Sequence, residues 1–332
     1  MIKTFRNIAN FGGYFDNPIK FKVKFMYQTK VFNTVKRNIM VVAISAMMIV
    51  PAMAASFSET KILAEKGDAT AQVDMAFMYG IGDGVEQDYS KAMKWYLKAA
   101  SQNNSFAQYN IGVLYDEGHG VEQDYTKAMK WYLKAASQNH SSAQQNIGAL
   151  YHEGYGVKQD NTKAMEWYLK AAAQDDPYSQ YNIGVLYSQG NGVKQDYTKA
   201  MEWYLKAASQ NNSLAQHSIG VLYSQGNGVK QDYTKAMEWH LKAAAQNNSN
   251  AQTKIGLMYT EGLGVRQDYT KAMEWYLKAA AQNNPFAQIG IGMLYDNGWG
   301  IRQNRNTAKE WYGEACDNGN QIGCDMYREL NK

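Results

Sequence analysis

The segment "QDYTKAMEWYLKAASQNN", residues 195–212, is written six times in this chain with small edits. Close copies stand at Gln123–His140, Gln231–Asn248 and Gln267–Asn284, and looser ones at Gln87–Asn104 and Gln159–Asp176. In the copy at 123–140, Ala128, Trp131, Ala135 and Ala136 share one face at helical spacing, while Lys127, Lys130 and Lys134 fall on the other. Asp124 precedes this run and is placed to cap the helix. Asn139 follows it, where a residue that tolerates positive φ can end the helix. In later copies Glu202 and Lys206 are spaced as a favourable i,i+4 pair.

This segment is half of a larger unit. Aligning "AQYNIGVLYDEGHGV" (107–121) with its copies places unit starts at Ala71, Ala107, Ala143, Ser179, Ala215, Ala251 and Ala287, always 36 residues apart. A fixed period of that size marks a stacked helical array. Ala107, Ile111, Leu114 and Tyr115 trace one apolar helical face. Gly112 lies on the same side, where a small residue lets another helix approach. Gly118-His119-Gly120 then ends this first helix, because glycine adopts the left-handed conformation at little cost. A single helix hairpin cannot cover its own Trp and Tyr, each of which buries roughly 150–250 Å². Neighbouring hairpins can, so each added unit contributes several kcal/mol at about 25 cal/mol/Å².

Composition agrees with an ordered helical chain: 45% hydrophobic residues, 13% aromatic and 4 Pro in 332 residues. A mean hydropathy of −0.54 excludes a polytopic membrane protein. The net charge of +4 is unevenly spread. Residues 1–54 hold eight Lys/Arg and one acid, leaving 26 basic and 29 acidic residues in 55–332. That balance provides no basic footprint for nucleic acid.

The N-terminal segment reads as an export signal. Lys36 and Arg37 precede an apolar run from Ile39 to Val50, followed by Ala52-Met53-Ala54, a small-x-small pattern accepted by signal peptidases. Cleavage is expected between Ala54 and Ala55. Met26 is the expected true start, since a signal counted from Met1 is unusually long; an uncleaved anchor is the alternative. Export would carry Cys316 and Cys324, the 2 cysteines of the chain, into an oxidising compartment. Closing so short a loop would stabilise by about 2.5 kcal/mol; metal binding is the weaker reading of the pair.

The 36-residue unit A-x-x-x-I/L-G-x-L-Y-x-x-G-x-G-V-x-Q-D-Y-x-K-A-x-x-W-Y-x-x-A-A resembles the Sel1-like repeat, a relative of the tetratricopeptide repeat. The resemblance implies an all-α, right-handed α-solenoid of seven helix-hairpin repeats with half-repeat caps. The repeats run 71–106, 107–142, 143–178, 179–214, 215–250, 251–286 and 287–322. Residues 1–54 form the export signal, 55–70 the N-terminal cap and 323–332 a capping half-helix. "ACDNGNQIGC" (315–324) resembles the cysteine pair of the secreted cysteine-rich Sel1-like proteins, which implies a disulfide tying the last unit to the next helix. In those relatives every unit carries the pair; here only the last does.

Catalytic chemistry finds little support. The repeated Asp of "QDYTKA" lacks a partner carboxylate and sits where a cap is needed. The five histidines, His119, His140, His152, His217 and His240, occupy different repeat positions and form no H-x-x-x-H pair. No metal or cofactor is therefore expected. The cysteine-rich relatives are associated with penicillin binding and hydrolysis, and Ser58-Glu59-Thr60-Lys61 fits S-x-x-K. Ser58 and Lys61 are weak candidates for nucleophile and base, because K-T-G and S-D-N are missing and Ser58 falls where a frayed terminus is expected.

The resemblance implies a non-enzymatic protein-interaction scaffold, exported to the periplasm or beyond. It is expected to be a monomer without membrane attachment after cleavage; envelope glycan or peptide recognition is a third reading. First helices are expected to line the concave side of a body on the order of 70 Å long, at roughly 10 Å per unit. Variation among the copies points to Tyr109, Asn110, Tyr181, Asn182 and His217 on those helices as partner contacts. It also points to His119, Tyr155 and Trp299 at the hairpin tips. Exposed aromatics commonly anchor partners.

Overall fold

The computed structural model describes residues 57–331. The array belongs to a compact unit that begins at Lys61. The expected export signal and the Ala54–Ala55 cleavage site lie outside the described residues.

The described residues hold sixteen α-helices and no strand. After α1 (Phe57–Glu65), seven helix pairs follow. Their first helices are α2 (Ala69–Ile81), α4 (Ser105–Glu117), α6 (Ser141–Glu153), α8 (Pro177–Gln189), α10 (Ser213–Gln225), α12 (Ser249–Glu261) and α14 (Pro285–Asn297). Their second helices are α3 (Tyr89–Ser101), α5 (Tyr125–Ala136), α7 (Asn161–Ala172), α9 (Tyr197–Ser209), α11 (Tyr233–Ala244), α13 (Tyr269–Ala280) and α15 (Arg305–Asp317). A final helix, α16 (Gln321–Glu329), stands where an eighth first helix would begin.

Local sequence sets each boundary. Asn104 caps α4 by accepting from the Ala107 amide at 2.9 Å. Asp124 caps α5 by accepting from the Lys127 amide at 2.9 Å. Gly118 ends α4 at φ +71°, and Asn139 follows α5 at φ +62°, both left-handed as their residue types suggest. The loop between them is tied down: the Asp124 amide donates to the Tyr115 carbonyl at 2.8 Å. The Gln123 side-chain amide donates to the Asp116 carbonyl at 2.6 Å.

Inside a unit, Gly112 makes room for Tyr132. A Cβ at Gly112 would stand 2.5 Å from the Tyr132 ring, and the same fit recurs at Gly148–Tyr168 and Gly184–Tyr204. Tyr132, rather than Trp131, is the large aromatic wholly buried in the second helix. Trp131 is half-buried, and its face is covered by the Lys134 ammonium at 3.9 Å. Lys206 likewise lies over Trp203, at 4.0 Å.

The core continues from unit to unit. Tyr132, Ala135 and Met129 of α5 pack with Tyr109 of α4 and with Ala143, Ile147 and Leu150 of α6. No unit closes its own core, so an isolated pair would leave this surface wet. The second glycine of each hairpin belongs to the same junction rather than to helix termination. At Gly120 (φ +69°) a Cβ would stand 2.7 Å from Tyr89 Cβ and 2.8 Å from its carbonyl carbon, in the preceding unit.

Candidate interaction face

The structure reassigns most of the partner contacts expected from sequence. Tyr109 is buried, not exposed. It stacks on His140 with centroids 4.8 Å apart and meets Tyr132 at 5.8 Å. Val73, Gln145, Thr253 and Ile289, at the same repeat position, are buried as well. Tyr181 and His217 are half-buried and face Tyr204 at 5.7 Å and His240 at 5.0 Å. One residue of helical phase separates this position from the surface, about 100° of rotation, and that turns it into the joint between units.

The hairpin tips are spent in the same way. His119 stacks on Tyr89 (4.6 Å), Tyr155 on Tyr125 (4.9 Å) and Trp299 on Tyr269 (5.6 Å), each reaching back to the preceding unit. These aromatics fasten neighbours together and retain only partial exposure. His119 also lies 3.0 Å from a Glu117 carboxylate oxygen.

Asn110 and Asn182 are half-buried, and beside them runs a row the sequence reading passed over. At i, i+4, i+7 and i+11 spacing, α4 presents Phe106, Asn110, Val113 and Glu117 along one face. Phe106 is 53% exposed, the largest apolar exposure on that helix. The position of Phe106 carries Tyr178, Leu214 and Phe286 in α8, α10 and α14. The position of Glu117 carries Glu153, Gln189, Gln225, Glu261 and Asn297. One edge of the row is therefore rich in apolar side chains and the other is polar to acidic. Burial pushes the Glu153 carboxyl above its ordinary range, against the pull of neighbouring His152. Asp74 on α2 is raised by burial and by the charge of Asp68.

The second helices show a different, uniform surface. Leu97, Leu133, Leu169, Leu205, Leu241 and Leu277 are each 41–45% exposed and repeat the same setting. Between α7 and α9 a groove opens, lined by Leu169, Ala172, Trp203, Lys206 and Gln210.

Ser58 and Lys61 both lie on α1 and are exposed, so Ser58 is helical rather than frayed. The Lys61 ammonium stands 3.8 Å from the Glu65 carboxylate in an exposed pair. Cys316 and Cys324 form a disulfide, with Cα atoms 4.5 Å apart, joining α15 to α16. The structure also pairs two histidines the sequence treated separately, His217 on α10 and His240 on α11. No helix among the described residues is long and apolar enough to cross a membrane.

Helix pairs at a constant period, each closing the core of its neighbour, define an α-solenoid repeat protein. The Sel1 repeat profile matches seven consecutive segments, 69–104, 105–140, 141–176, 177–212, 213–248, 249–284 and 285–320. Each segment begins two residues ahead of the unit starts at Ala71, Ala107 and their equivalents. The chain belongs to the Sel1 repeat family. It is similar to c5321, a protective antigen present in uropathogenic Escherichia coli strains that displays an SLR fold: 36% identity and a TM-score of 0.69, over 83% of this chain. That match covers 59% of the E. coli protein, less than two thirds of its length. A Sel1 repeat protein from Oxalobacter formigenes is 32% identical, with a TM-score of 0.65, over 82% of this chain and 79% of that one. No curated protein matches the chain. Sel1 repeats generally serve as scaffolds that bind other proteins.

Proposed function

We propose that this chain is an exported, non-enzymatic scaffold that holds an extended protein or peptide partner along its first helices. The observation that carries this reading is the contrast between its two surfaces. Second helices are near-copies of one another, while the outward row on the first helices differs from unit to unit. Phe106, Ser142, Tyr178, Leu214, Asn250 and Phe286 occupy one repeat position of that row. Side chains that change in register along a rigid array are what reading an extended, irregular partner requires. Two features support export: the signal-like segment within residues 1–54 and the Cys316–Cys324 disulfide, which persists in oxidising compartments.

Affinity capture from cells producing the protein tests the binding role, comparing wild type with a Phe106→Ser/Tyr178→Ser/Phe286→Ser variant. A partner retained by wild type and lost by the variant supports the reading; equal capture removes it. Intact-mass measurement on the exported fraction tests the rest, and a mature chain beginning at Ala55 is expected.

A further inference from the structure

The joint closed by α10, α11 and α12 differs in kind from the others. In the second unit Tyr109 meets Tyr132, whose hydroxyl donates to Asp116 Oδ2 at 3.0 Å, and Asn146 of the next first helix lies beside both phenols. In the fourth, Tyr181 meets Tyr204, whose hydroxyl donates to Ser188 Oγ at 3.2 Å, and Ser218 lies beside both phenols. The fifth unit places His217, His240 and Lys254 at those three positions. Two phenols and a neutral hydrogen-bonding group have become two imidazoles and an amine.

The setting gives these imidazoles little room and few partners. Their centroids are 5.0 Å apart, with ring planes at 41°. His240 is 1% exposed, and a Cβ at Gly220 would stand 2.5 Å from its ring. The Nδ1 atoms of both rings are buried and make no hydrogen bond. We propose that this joint is an acid-labile point of the array: protonation of the His217–His240 pair opens it before the joints on either side.

The one charge shown to act on the pair from a packed element opposes its protonation. Lys254, from α12, acts on both rings, and a charged His217 further opposes protonation of His240. Glu261, also on α12, is exposed at the far end of that helix. α10 has no Asp, Glu, Lys or Arg. On α11, Glu238 is exposed, as are Lys235 and Lys242, the latter drawn over Trp239 at 4.0 Å. On α9, which packs on α10 from the other side, Lys199, Glu202 and Lys206 are exposed, and Tyr204 stays neutral. No carboxylate faces the rings from these four helices to accept or offset a proton.

The sign of the effect follows. Burial, and then Lys254, lower the His217 pKa to about 3 in the closed joint. Burial, His217 and Lys254 hold His240 well below its ordinary value as well. An opened joint returns each ring to water, where imidazole titrates near 6.5. The joint is therefore fully stable above about pH 6.5 and loses stability as pH falls toward about 3. At pH 5, His217 alone favours opening about thirtyfold over the fully deprotonated limit. Because units in an array hold chiefly to their neighbours, the opening stays local.

Hydrogen exchange read by mass spectrometry on the mature full-length protein, at pH 7 and pH 5 with intrinsic rates corrected, tests this. Peptides from α10, α11 and α12 are expected to exchange about tenfold faster or more at pH 5, while those from α7 and α8 change little. A uniform change across the array, or none in α10–α12, overturns the proposal. A His217→Tyr/His240→Tyr/Lys254→Asn variant, which installs the set of the second unit, is expected to abolish the local effect. Persistence of the effect in that variant also overturns the proposal. Should the variant not fold, the comparison between α10–α12 and α7–α8 within the wild-type molecule decides alone.

Discussion

Gln138 donates its side-chain amide to the Gln108 side-chain oxygen at 2.8 Å, joining the end of a second helix to the first helix of the same unit. Gln108 in turn donates to Asn103 Oδ1 at 3.0 Å, in the turn that ends the preceding unit's second helix. The amide pair recurs at Gln174–Gln144 (2.8 Å), Gln210–Gln180 (3.0 Å), Gln246–Gln216 (2.8 Å) and Gln282–Gln252 (2.9 Å). It continues into the last unit as Asn318–Gln288 (3.0 Å). Gln144 likewise donates to Asn139 Oδ1 at 3.1 Å, so Gln108 and Gln144 are each a partner within their unit and part of the seam between units.

Gln108→Ala removes a buried amide that serves two neighbours, so urea denaturation should show a loss of about 1–3 kcal/mol. A double-mutant cycle with Gln138→Ala should give a coupling energy above about 0.5 kcal/mol, because the two side chains share one bond. Simple additivity would deny the seam an energetic role.

The two glycines of a hairpin should respond differently to alanine. At Gly118 (φ +71°) the cost is mainly left-handed backbone strain, about 1 kcal/mol, since the nearest atom is Gln123 Cβ at 3.2 Å. At Gly120 the new methyl meets Tyr89 main-chain atoms at 2.8 Å in another unit, so the loss should exceed that of Gly118→Ala by about 1–3 kcal/mol. Thermal denaturation of the two variants side by side gives the comparison.

His140 caps α6 where four other first helices, α4, α10, α12 and α14, have Asn. Burial lowers its pKa to about 4 in the fold. Its contribution is complete above the unfolded value near 6.5 and is lost as pH falls through about 4, amounting to about 3 kcal/mol. His140→Asn should therefore flatten the stability–pH curve between those values. An unchanged slope in denaturant titrations at pH 7, 5.5 and 4.5 would assign the acid sensitivity elsewhere.

Cys316→Ser/Cys324→Ser should cost about 2–3 kcal/mol, as expected for a short cross-linked loop. The loss should concentrate in α16, which the disulfide ties to α15. Proteolysis of the variant is expected to begin in 321–331, and protection there equal to wild type would contradict a stapling role.

Much of this fold is legible in the sequence because identical residues recur at the same phase. Asp124 and Asn139 announce the limits of α5, and Gly112 the close approach of Tyr132. What the sequence hides is the neighbour a side chain turns toward. Tyr109 and Phe106 are three residues apart and both aromatic, yet one closes a joint and the other faces out. Trp131 and Tyr132 are adjacent, and helical spacing alone favoured the wrong one as the deepest. Gln108 recurs in all seven copies and Gln138 in all but the last, which has Asn318; that signal for the seam went unused because glutamine is usually read as surface. His217 and His240 are 23 positions apart, and only their shared replacement of a Tyr–Tyr pair could have joined them.

The central claim is that partners bind the outward row of the first helices. Site-specific photo-crosslinking in intact cells tests it most directly, with the reactive residue at Phe106, Tyr178 or Phe286, and at Leu205 or Glu202 on the second helices. The account predicts one discrete adduct from the first-helix positions and none from Leu205 or Glu202. An adduct confined to Leu205, on the exposed leucine ladder, or equal labelling at all five positions, would contradict it.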